Sequence, residues 1–522
     1  MESVAATQSA QPAAGNGAAG DGATIEVHRP ADGTLIRSIP VDSPERVAEV
    51  VGRVRANQAE WEAIGFPGRR RWLERLRDWM IDNEPRLADV MQEETGKVRA
   101  EAESEAPLIS AAINYYSKHG EEFLADETPA PNILPLRVKR LRIVYRPYPV
   151  VGVITPWNFP LLLAFDDAVG ALFAGCAVVI KPSEFTPFSI MEAVRGWKED
   201  IGGPDVLDVV NGLGDTGGRL IDEVDFVQFT GSDRTGKVVM KRAAETLTPV
   251  SLELGGKDPL IVLRDADLER AVNATATGGL LNSGQACTSI ERVYVEEPVY
   301  DEFVARLGDR VRELRQGQDG RSYGAEIGAM ATPAQVDIVS AHVEDARQKG
   351  ASIVTGGKRR EGPGQWYEPT VIADVDHSMK VMTEETFGPV LPVMKVRDAD
   401  QAVRLANDTR HGLSASVFAG TSDEGASIAR RIEAGAVNVN DVLTNYFALG
   451  LPMGGWKESG IGFRHGSYGI KKFVRPSSVI VPRVKQGKRD PLWFPYTGTR
   501  RRLVNRVNRL INARGLRNRL GL

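Results

Sequence analysis

A thiol in Gly284-Gln285-Ala286-Cys287 and a carboxylate in Leu252-Glu253-Leu254-Gly255-Gly256-Lys257 are the groups of this 522-residue chain best suited to covalent chemistry. A cysteine thiolate attacks a carbonyl carbon, and a carboxylate activates the water that later frees the acyl group. Together they are the two groups needed to carry an aldehyde to an acid through a thioester, and such an oxidation needs a site that receives a hydride. Each has a plainer reading. A lone cysteine is usually core, although Gly284 and Ala286 leave room for a substrate to approach Cys287. Glu253 could be a solvated strand end, although its place between two leucines invites a raised pKa. The other cysteine, Cys176, lies in the apolar run 172–180 and reads as a buried structural thiol.

Three segments are candidates for holding the hydride acceptor. Gly212-Leu213-Gly214-Asp215-Thr216-Gly217 matches the dinucleotide glycine fingerprint, a pattern that a glycine-rich turn also satisfies. Phe229-Thr230-Gly231-Ser232-Asp233-Arg234-Thr235-Gly236 is the better phosphate site, because a strand ends and a helix begins there with free backbone amides. The Ser232 hydroxyl adds a donor. Ile180-Lys181-Pro182-Ser183-Glu184 closes another strand with a cation and a carboxylate spaced to grip ribose hydroxyls, a solvated turn being the alternative. An acid at Glu184 would repel a 2′-phosphate, so NAD is favoured, with NADP as the second choice.

Stepping outward, a chain of this length is expected to form two large domains and a smaller element. Hydrophobic residues at 42% and charged residues at 26% fit a soluble globular protein. Two cysteines exclude a disulfide framework and point to a reducing, cytoplasmic setting. Six scattered histidines offer no metal-ligand spacing, so no metal is expected, and no nucleic acid partner either. Residues 160–180 are strongly apolar, but Asp166, Asp167 and two glycines make them a buried helix and strand rather than a membrane span. Residues 1–24 lack the basic start and apolar block of a secretion signal and read as a disordered leader.

From 43 to 117, apolar positions recur every three to four residues, as in Trp72, Leu76 and Trp79, and predict helices that Gly65-Phe66-Pro67-Gly68 interrupts. Residues 136–148 are basic and β-branched and suggest an extended strand or hairpin. Short apolar strands at 150–154, 177–180, 206–210 and 226–229 then alternate with helices. A second series follows Cys287, with strands at 293–295, 353–354, 390–393 and 414–418. Its helices are expected at 299–314 and at 333–349, the latter capped by Thr332 with Pro333 in first position. That rhythm predicts parallel α/β sheets in two lobes with a cleft between them.

Residues 485–522 hold eleven Lys or Arg against one acid, Asp490, a local charge of about +10 that leaves the rest of the chain near −14. Leu503, Val507, Leu510 and Ile511 would share one helical face, with arginines on the others. Two readings stay open: a helix that docks on a neighbouring subunit or stays solvated, and peripheral contact with an anionic membrane.

Val153-Ile154-Thr155-Pro156-Trp157-Asn158-Phe159-Pro160, the Lys181, Gly231, Glu253 and Cys287 segments, and Glu384-Glu385-Thr386-Phe387-Gly388-Pro389-Val390 occur in the order found in the aldehyde dehydrogenase superfamily. The chain resembles its NAD(P)-dependent hydrolytic branch over roughly residues 25–483. The resemblance implies an α/β fold with a variant Rossmann cofactor domain (25–129 and 149–255), an α/β catalytic domain (256–469) and a small β oligomerisation element (130–148 and 470–484). The basic amphipathic tail, 485–522, lies beyond it. Cys287 would be the nucleophile, and Glu253 would activate water. The Cys287 amide and the Asn158 side chain would hold the oxyanion, a helix cap being the other use for Asn158. Cofactor contacts are implied at Thr155, Trp157, Lys181, Ser183, Glu184, Gly214, Gly231, Ser232 and Leu254. Glu385 would hold the nicotinamide ribose and Phe387 would pack beside it, while the 212–217 glycines would not be the main pyrophosphate cradle. A homo-oligomer, dimer or tetramer, acting on a small-molecule aldehyde is expected.

One position departs from the family pattern: Arg464 stands where an acid is usual, so a proton-relay role for that acid does not carry over and Glu253 would act alone. Leu161, Leu162, Leu163, Phe165, Phe447 and Met453 suggest an apolar or aromatic aldehyde, and Asp166 and Asp167 would oppose an acidic one. The alternatives are a succinate-semialdehyde-type enzyme, an acylating CoA-dependent dehydrogenase, which Glu253 argues against, and a catalytically silent binding homologue.

Overall fold

The computed structural model describes residues 23–489 and 493–520, so nearly all of the expected leader falls outside it. The chain divides into two units, one running to Leu124 and again over Pro147–Arg475, the other comprising Ala125–Arg146 and the chain from Pro476. The first unit opens with an antiparallel hairpin of β1 (Thr24–His28) and β2 (Leu35–Pro40), which the sequence reading did not anticipate. Four helices follow over 44–123; the break expected at the Gly65 cluster falls at Ile64 and Gly65, where φ is +67°, and Phe66-Pro67-Gly68 already belongs to the next helix. The second unit is built on β3 (Lys139–Pro147), discussed below with its partner strand.

Strands β4 (Val150–Ile154), β5 (Ala177–Lys181), β6 (Leu207–Val209), β7 (Phe226–Thr230) and β8 (Val250–Glu253) form a parallel sheet in the order β8-β7-β4-β5-β6. Every residue of β4, β5 and β7 is buried, which is why these strands read as unbroken apolar runs rather than as alternating patterns. The helix Pro160–Ala174 is buried along its whole length, so the apolar stretch 160–180 is the core helix and strand its sequence suggested. Among the described residues no helix is long and apolar enough to cross a membrane.

The second sheet contains β9 (Asp258–Val262), β10 (Ile290–Glu296), β11 (Ser352–Thr355), β12 (Thr370–Ala373), β13 (Val390–Val396), β14 (Ser414–Phe418) and β15 (Ala436–Val439), in the order β11-β12-β13-β10-β9-β14-β15. Only β11 runs antiparallel to its neighbour. Successive residues divide between its faces: Leu260, Val262, Val293 and Val295 join one apolar cluster, Ile261 and Tyr294 the other. Thr332 caps the helix Pro333–Gln348 as expected, accepting from the Gln335 N–H at 3.3 Å.

The two-residue strand β16 (Gly460–Ile461) adds to the first sheet antiparallel to β8, so Gly460 lies opposite Glu253. In the second unit, β17 (Val474–Pro482) pairs with β3, and the helix Gly498–Asn512 follows. Cys176 is fully buried, its thiol on the Phe473 carbonyl at 3.4 Å, in keeping with a structural role.

Four residues, Leu254-Gly255-Gly256-Lys257, carry the chain from the end of β8 to the start of β9. The carboxyl ends of the first sheet's parallel strands therefore meet the amino ends of the second sheet's strands. Thr155, Lys181, Gly231 and Glu253 lie at the first set of ends, and the Cys287 and Glu385 loops lead into β10 and β13 at the second.

Candidate active site

Cys287 sits in a turn just before β10, after a short helix in which Asn282 and Ser283 adopt left-handed backbone angles of +52° and +56°. Such angles are costly for side-chain-bearing residues, and the surroundings hold them in place. The Asn282 N–H donates to Glu101 at 2.6 Å, its amide group donates to the Asn158 carbonyl at 2.9 Å, and the Ser283 hydroxyl donates to the Gly328 carbonyl at 2.9 Å. Gln285 ties the same turn to the Ala331 N–H at 2.9 Å.

Glycines let the three functional segments close on one another. A Cβ at Gly256 would lie 2.4 Å from the Cys287 carbonyl oxygen, and one at Gly255 would lie 2.3 Å from the Glu385 carboxylate. The Glu385 carboxylate accepts instead from the Gly256 N–H at 2.9 Å. A Cβ at Gly284, where φ is +73°, would fall 2.0 Å from the Gly388 carbonyl oxygen. The freedom at Gly284 is thus used by the neighbouring backbone, which corrects the expectation that it leaves room for a substrate.

Asn158 is buried, and its amide group donates to the Gln285 carbonyl at 3.0 Å while its own Oδ1 has no partner. It does not cap the helix Pro160–Ala174, which has no side-chain cap. A buried Lys97–Glu105 pair fixes this segment: Lys97 Nζ donates to the Asn158 carbonyl at 2.9 Å and Glu105 accepts from the Leu162 N–H at 2.9 Å. On the opposite side, Glu291 of β10 accepts from the Thr386 and Phe387 N–H groups at 2.8 and 2.7 Å and from Lys257 Nζ at 2.7 Å, which anchors the Glu385 loop. Phe387, with φ of +49°, meets the Trp157 ring edge to face at 5.5 Å. None of Lys97, Glu105 or Glu291 carries a signal of its own in the sequence; they lie in ordinary helical and strand patterns, and only folding brings them here.

Glu253 is buried, and neither carboxylate oxygen has a hydrogen-bond partner. Burial pushes its pKa up to about 7, moderated by the positive charges of Arg464 and Lys472. That is the range in which a carboxylate serves as a general base near neutrality. Cys287 is partly buried, and desolvation pushes its thiol up to about 12, with Arg464 again pulling down.

Arg464 therefore lowers the pKa of both reactive groups through its positive charge. Its guanidinium donates to Asp167 at 2.9 and 2.7 Å and to the Thr230 hydroxyl, and Thr230 is in register with Glu253 on β7 and β8. Lys472 donates to the second Asp167 oxygen at 2.9 Å, so two cations share one carboxylate and one positive charge is left over beside Glu253. One guanidinium nitrogen, Nη1, is buried without a partner. Asp166 accepts from His465 at 2.9 Å and from the Tyr446 hydroxyl at 3.2 Å. Both aspartates are thus matched internally, which overturns the expectation that they oppose an acidic substrate. Leu161, Leu162, Leu163 and Phe165 are buried in the core, and Met453 is buried with its backbone paired to Arg464, whereas Phe447 is half exposed.

The cofactor candidates gather at the carboxyl ends of β4, β5, β7 and β8, where ligands of open α/β sheets bind. The Thr155 N–H donates to the Lys181 carbonyl at 3.1 Å, and the Thr155 hydroxyl is buried with no partner, a free polar atom suited to a bound ligand. Lys181 is buried, its Nζ on the Pro182 carbonyl at 2.9 Å and 3.9 Å from Glu184, and burial lowers its pKa. The Ser183 hydroxyl donates to Glu184 at 3.4 Å. Gly214 opens the helix Gly214–Glu223 onto open space, and Gly217 packs against the Lys181 stem. Ser232 caps the helix Asp233–Thr246, accepting from the Thr235 N–H at 3.3 Å and donating to the Thr235 hydroxyl at 3.0 Å. Its hydroxyl proton is therefore engaged within the turn, unlike the free donor expected. Leu254 packs on Gly236 of that helix, close enough that a Cβ there would lie 2.6 Å away.

The chain is similar to known proteins over most of its length. A family model described as the aldehyde dehydrogenase family matches residues 18–479. A Mycolicibacterium smegmatis protein provisionally named an NADP(+) succinate-semialdehyde dehydrogenase is 39% identical over 455 residues, 87% of each chain. A 4,4'-diapolycopene aldehyde oxidase from Methylomonas is 39% identical over 479 residues, 91% of this chain and 89% of its own. The solved structure of a provisionally named aldehyde dehydrogenase from Anabaena variabilis superposes with a TM-score of 0.86 at 39% identity, covering 91% of this chain and 100% of that one.

Two substitutions test the geometry. Gly284→Ala places a methyl group against Gly388 at a left-handed position, and is expected to cost at least about 1 kcal/mol in a thermal or urea melt and to abolish activity; a wild-type melt would contradict the close approach. Arg464→Gln removes the positive charge shared by Glu253 and Cys287. It should move the acid limb of the activity profile to higher pH and slow iodoacetamide alkylation of Cys287, about tenfold for each unit of pKa, with Arg464→Lys recovering most of both. An unchanged profile in a folded Arg464→Gln enzyme would remove Arg464 from the electrostatics of the site.

Proposed function

Because the chain belongs to the aldehyde dehydrogenase family, we propose that it oxidises an aldehyde to the free carboxylic acid through a thioester on Cys287. The observation that carries this reading is the convergence of the Cys287 turn, the Asn158 amide and the unpartnered Glu253 carboxylate at the junction of the two sheets. The Cys287 thiol gives up its proton to solvent water and its thiolate sulfur bonds to the carbonyl carbon, with Asn158 and the Cys287 N–H as donors to the oxyanion. A nicotinamide dinucleotide, when bound, supplies the acceptor for the hydride that leaves that carbon. The C=O bond re-forms as a thioester. Glu253, ionised above about pH 7, then draws a proton from water, whose oxygen replaces the sulfur and returns the thiol.

The first sheet, with its carboxyl-end residues Thr155, Trp157, Lys181, Ser183, Glu184, Gly231 and Ser232, is the cofactor half in this reading; Glu385 and Phe387 hold the reactive end. Glu184 keeps partial exposure at the end of β5, which favours NAD, whereas the Mycolicibacterium relative is named for NADP(+). Hydrolysis is preferred over transfer to coenzyme A because Glu253 is present and its raised pKa suits a base.

The aldehyde proposed is apolar or aromatic. Tyr446, partly buried with its hydroxyl on Asp166, meets the exposed Phe447 edge-on at 6.2 Å, and Leu451 is 60% exposed. Such apolar groups at the rim of a buried polar site suit an apolar chain. A second reading, succinate semialdehyde, is favoured by the unpartnered Arg464 Nη1 and by the name of the Mycolicibacterium relative. The exposed apolar strand β17, with Ile480 60% and Val481 43% exposed, is proposed as the oligomerisation edge, since bare strands of this kind recruit partners.

Initial rates on aromatic, long-chain, short-chain and carboxylated aldehydes with each cofactor test the reading. NAD-dependent turnover of aromatic or long-chain aldehydes is expected, with rates falling about tenfold per pH unit below about pH 7 as Glu253 becomes protonated. Cys287→Ala should abolish product. A strong preference for succinate semialdehyde over its uncharged analogue would select the second reading, and full activity of Cys287→Ala would overturn both.

A further inference from the structure

The matched family model ends at residue 479, and the segment beyond it is unlike the rest of the chain. The helix Gly498–Asn512 starts cleanly at Thr497, whose hydroxyl accepts from the Arg500 N–H at 3.4 Å, and it has no buried residue. At 100° per residue, Leu503, Val504, Val507, Leu510 and Ile511 fall within one arc of about 120°. Leu503 is 60% exposed and Leu510 47%. Arg500, in the first turn, falls on the arc itself; Arg506 flanks it on one side and Arg501 on the other, and Arg502 and Arg509 lie opposite. Just before the helix, Trp493, Phe494 and Tyr496 are 56%, 76% and 67% exposed, the last two in ring contact at 4.8 Å. The short helix Leu516–Leu520 adds Arg517 and Arg519. Between 498 and 522 the sequence has eight arginines and no acid.

We propose that residues 493–519 are a membrane-docking element that lies flat on an anionic lipid surface. Charge and shape choose this occupant. An anionic bilayer accepts both halves of the helix at once, the leucine and valine stripe entering the interface while arginines at its flanks reach headgroup phosphates. Trp493 and Tyr496 are the residue types that settle at the headgroup level. A nucleic acid would satisfy the arginines but leave the apolar stripe in water, and a neutral protein groove would satisfy the stripe but leave eight like charges unpaired. The proposal concerns where the enzyme sits and holds for either aldehyde class considered above.

The test is co-sedimentation of the full-length enzyme with phosphatidylcholine vesicles, with and without phosphatidylserine. Binding is expected only to the phosphatidylserine-containing vesicles, falling roughly fivefold for each flanking arginine neutralised in Arg501→Gln and Arg506→Gln, and lost in high salt. Leu503→Glu with Leu510→Glu should abolish it while the turnover of a water-soluble aldehyde stays at the wild-type value, which shows that the rest of the enzyme is intact. The proposal is overturned by equal binding to neutral vesicles, by binding that survives removal of residues 485–522, by tighter binding to duplex DNA or RNA than to anionic vesicles, or by a loss of oligomeric state on that removal with no vesicle binding by the intact chain.

Discussion

A surplus positive charge beside an unpartnered carboxylate organises this site. Arg464 and Lys472 share Asp167, so the three together carry one net positive charge; Arg464 and Asp167 are buried, Lys472 is partly so, and Asp166 lies within the field of both cations. Glu253 lies one strand away with both oxygens bare. Ionising it completes the charge balance, and protonating it relieves burial; the two tendencies meet near neutral pH. Asp167 on the neighbouring buried helix is the counter-ion of Arg464, and the arginine's positive charge lowers the pKa of both Glu253 and Cys287, the sense that favours a carboxylate base and a thiolate.

The fold supplies the distances through backbone proximity more than through side-chain reach. A four-residue link joins the carboxyl end of one parallel sheet to the amino end of another, and its two glycines make the close approaches, Gly256 to a backbone carbonyl and Gly255 to the Glu385 carboxylate. Gly256 against Cys287, Gly255 against Glu385 and Gly284 against Gly388 draw the thiol, base and cofactor loops into one cluster that any side chain at those positions would push apart. Outside this cluster stand fully buried ion pairs, Lys97–Glu105 and Lys257–Glu291, which hold the loops by charge-assisted hydrogen bonds to their backbones.

Much of this was legible from residue order. The parallel α/β rhythm appears as unbroken apolar strands because those strands are buried on both faces, and Cys287 and Glu253 stand out by type and local sequence, whereas Asn158 is picked out only by the family resemblance. The Thr332 cap and the amphipathic tail helix follow from short-range rules. What could not be read is what depends on long-range pairing. Asp167 looked like a charge facing the substrate until Arg464, nearly three hundred residues away, was found on it. Glu291, Glu105 and Lys97 are chemically ordinary in sequence and become positioning groups only through tertiary contacts. Ser232, expected as a hydroxyl donor, accepts from the Thr235 N–H as a helix cap and gives its own proton to the Thr235 hydroxyl, two contacts that only the folded turn reveals.

The central claim is that Cys287 carries the acyl group and that Glu253 releases it. Rapid mixing of Glu253→Gln with excess aldehyde and cofactor, followed by intact-mass and peptide analysis, tests it directly. One equivalent of reduced cofactor per site, formed in a burst and followed by a stall with the acyl group on Cys287, is the predicted result. Steady turnover at the wild-type rate, or an acyl group on any other residue, would contradict the account.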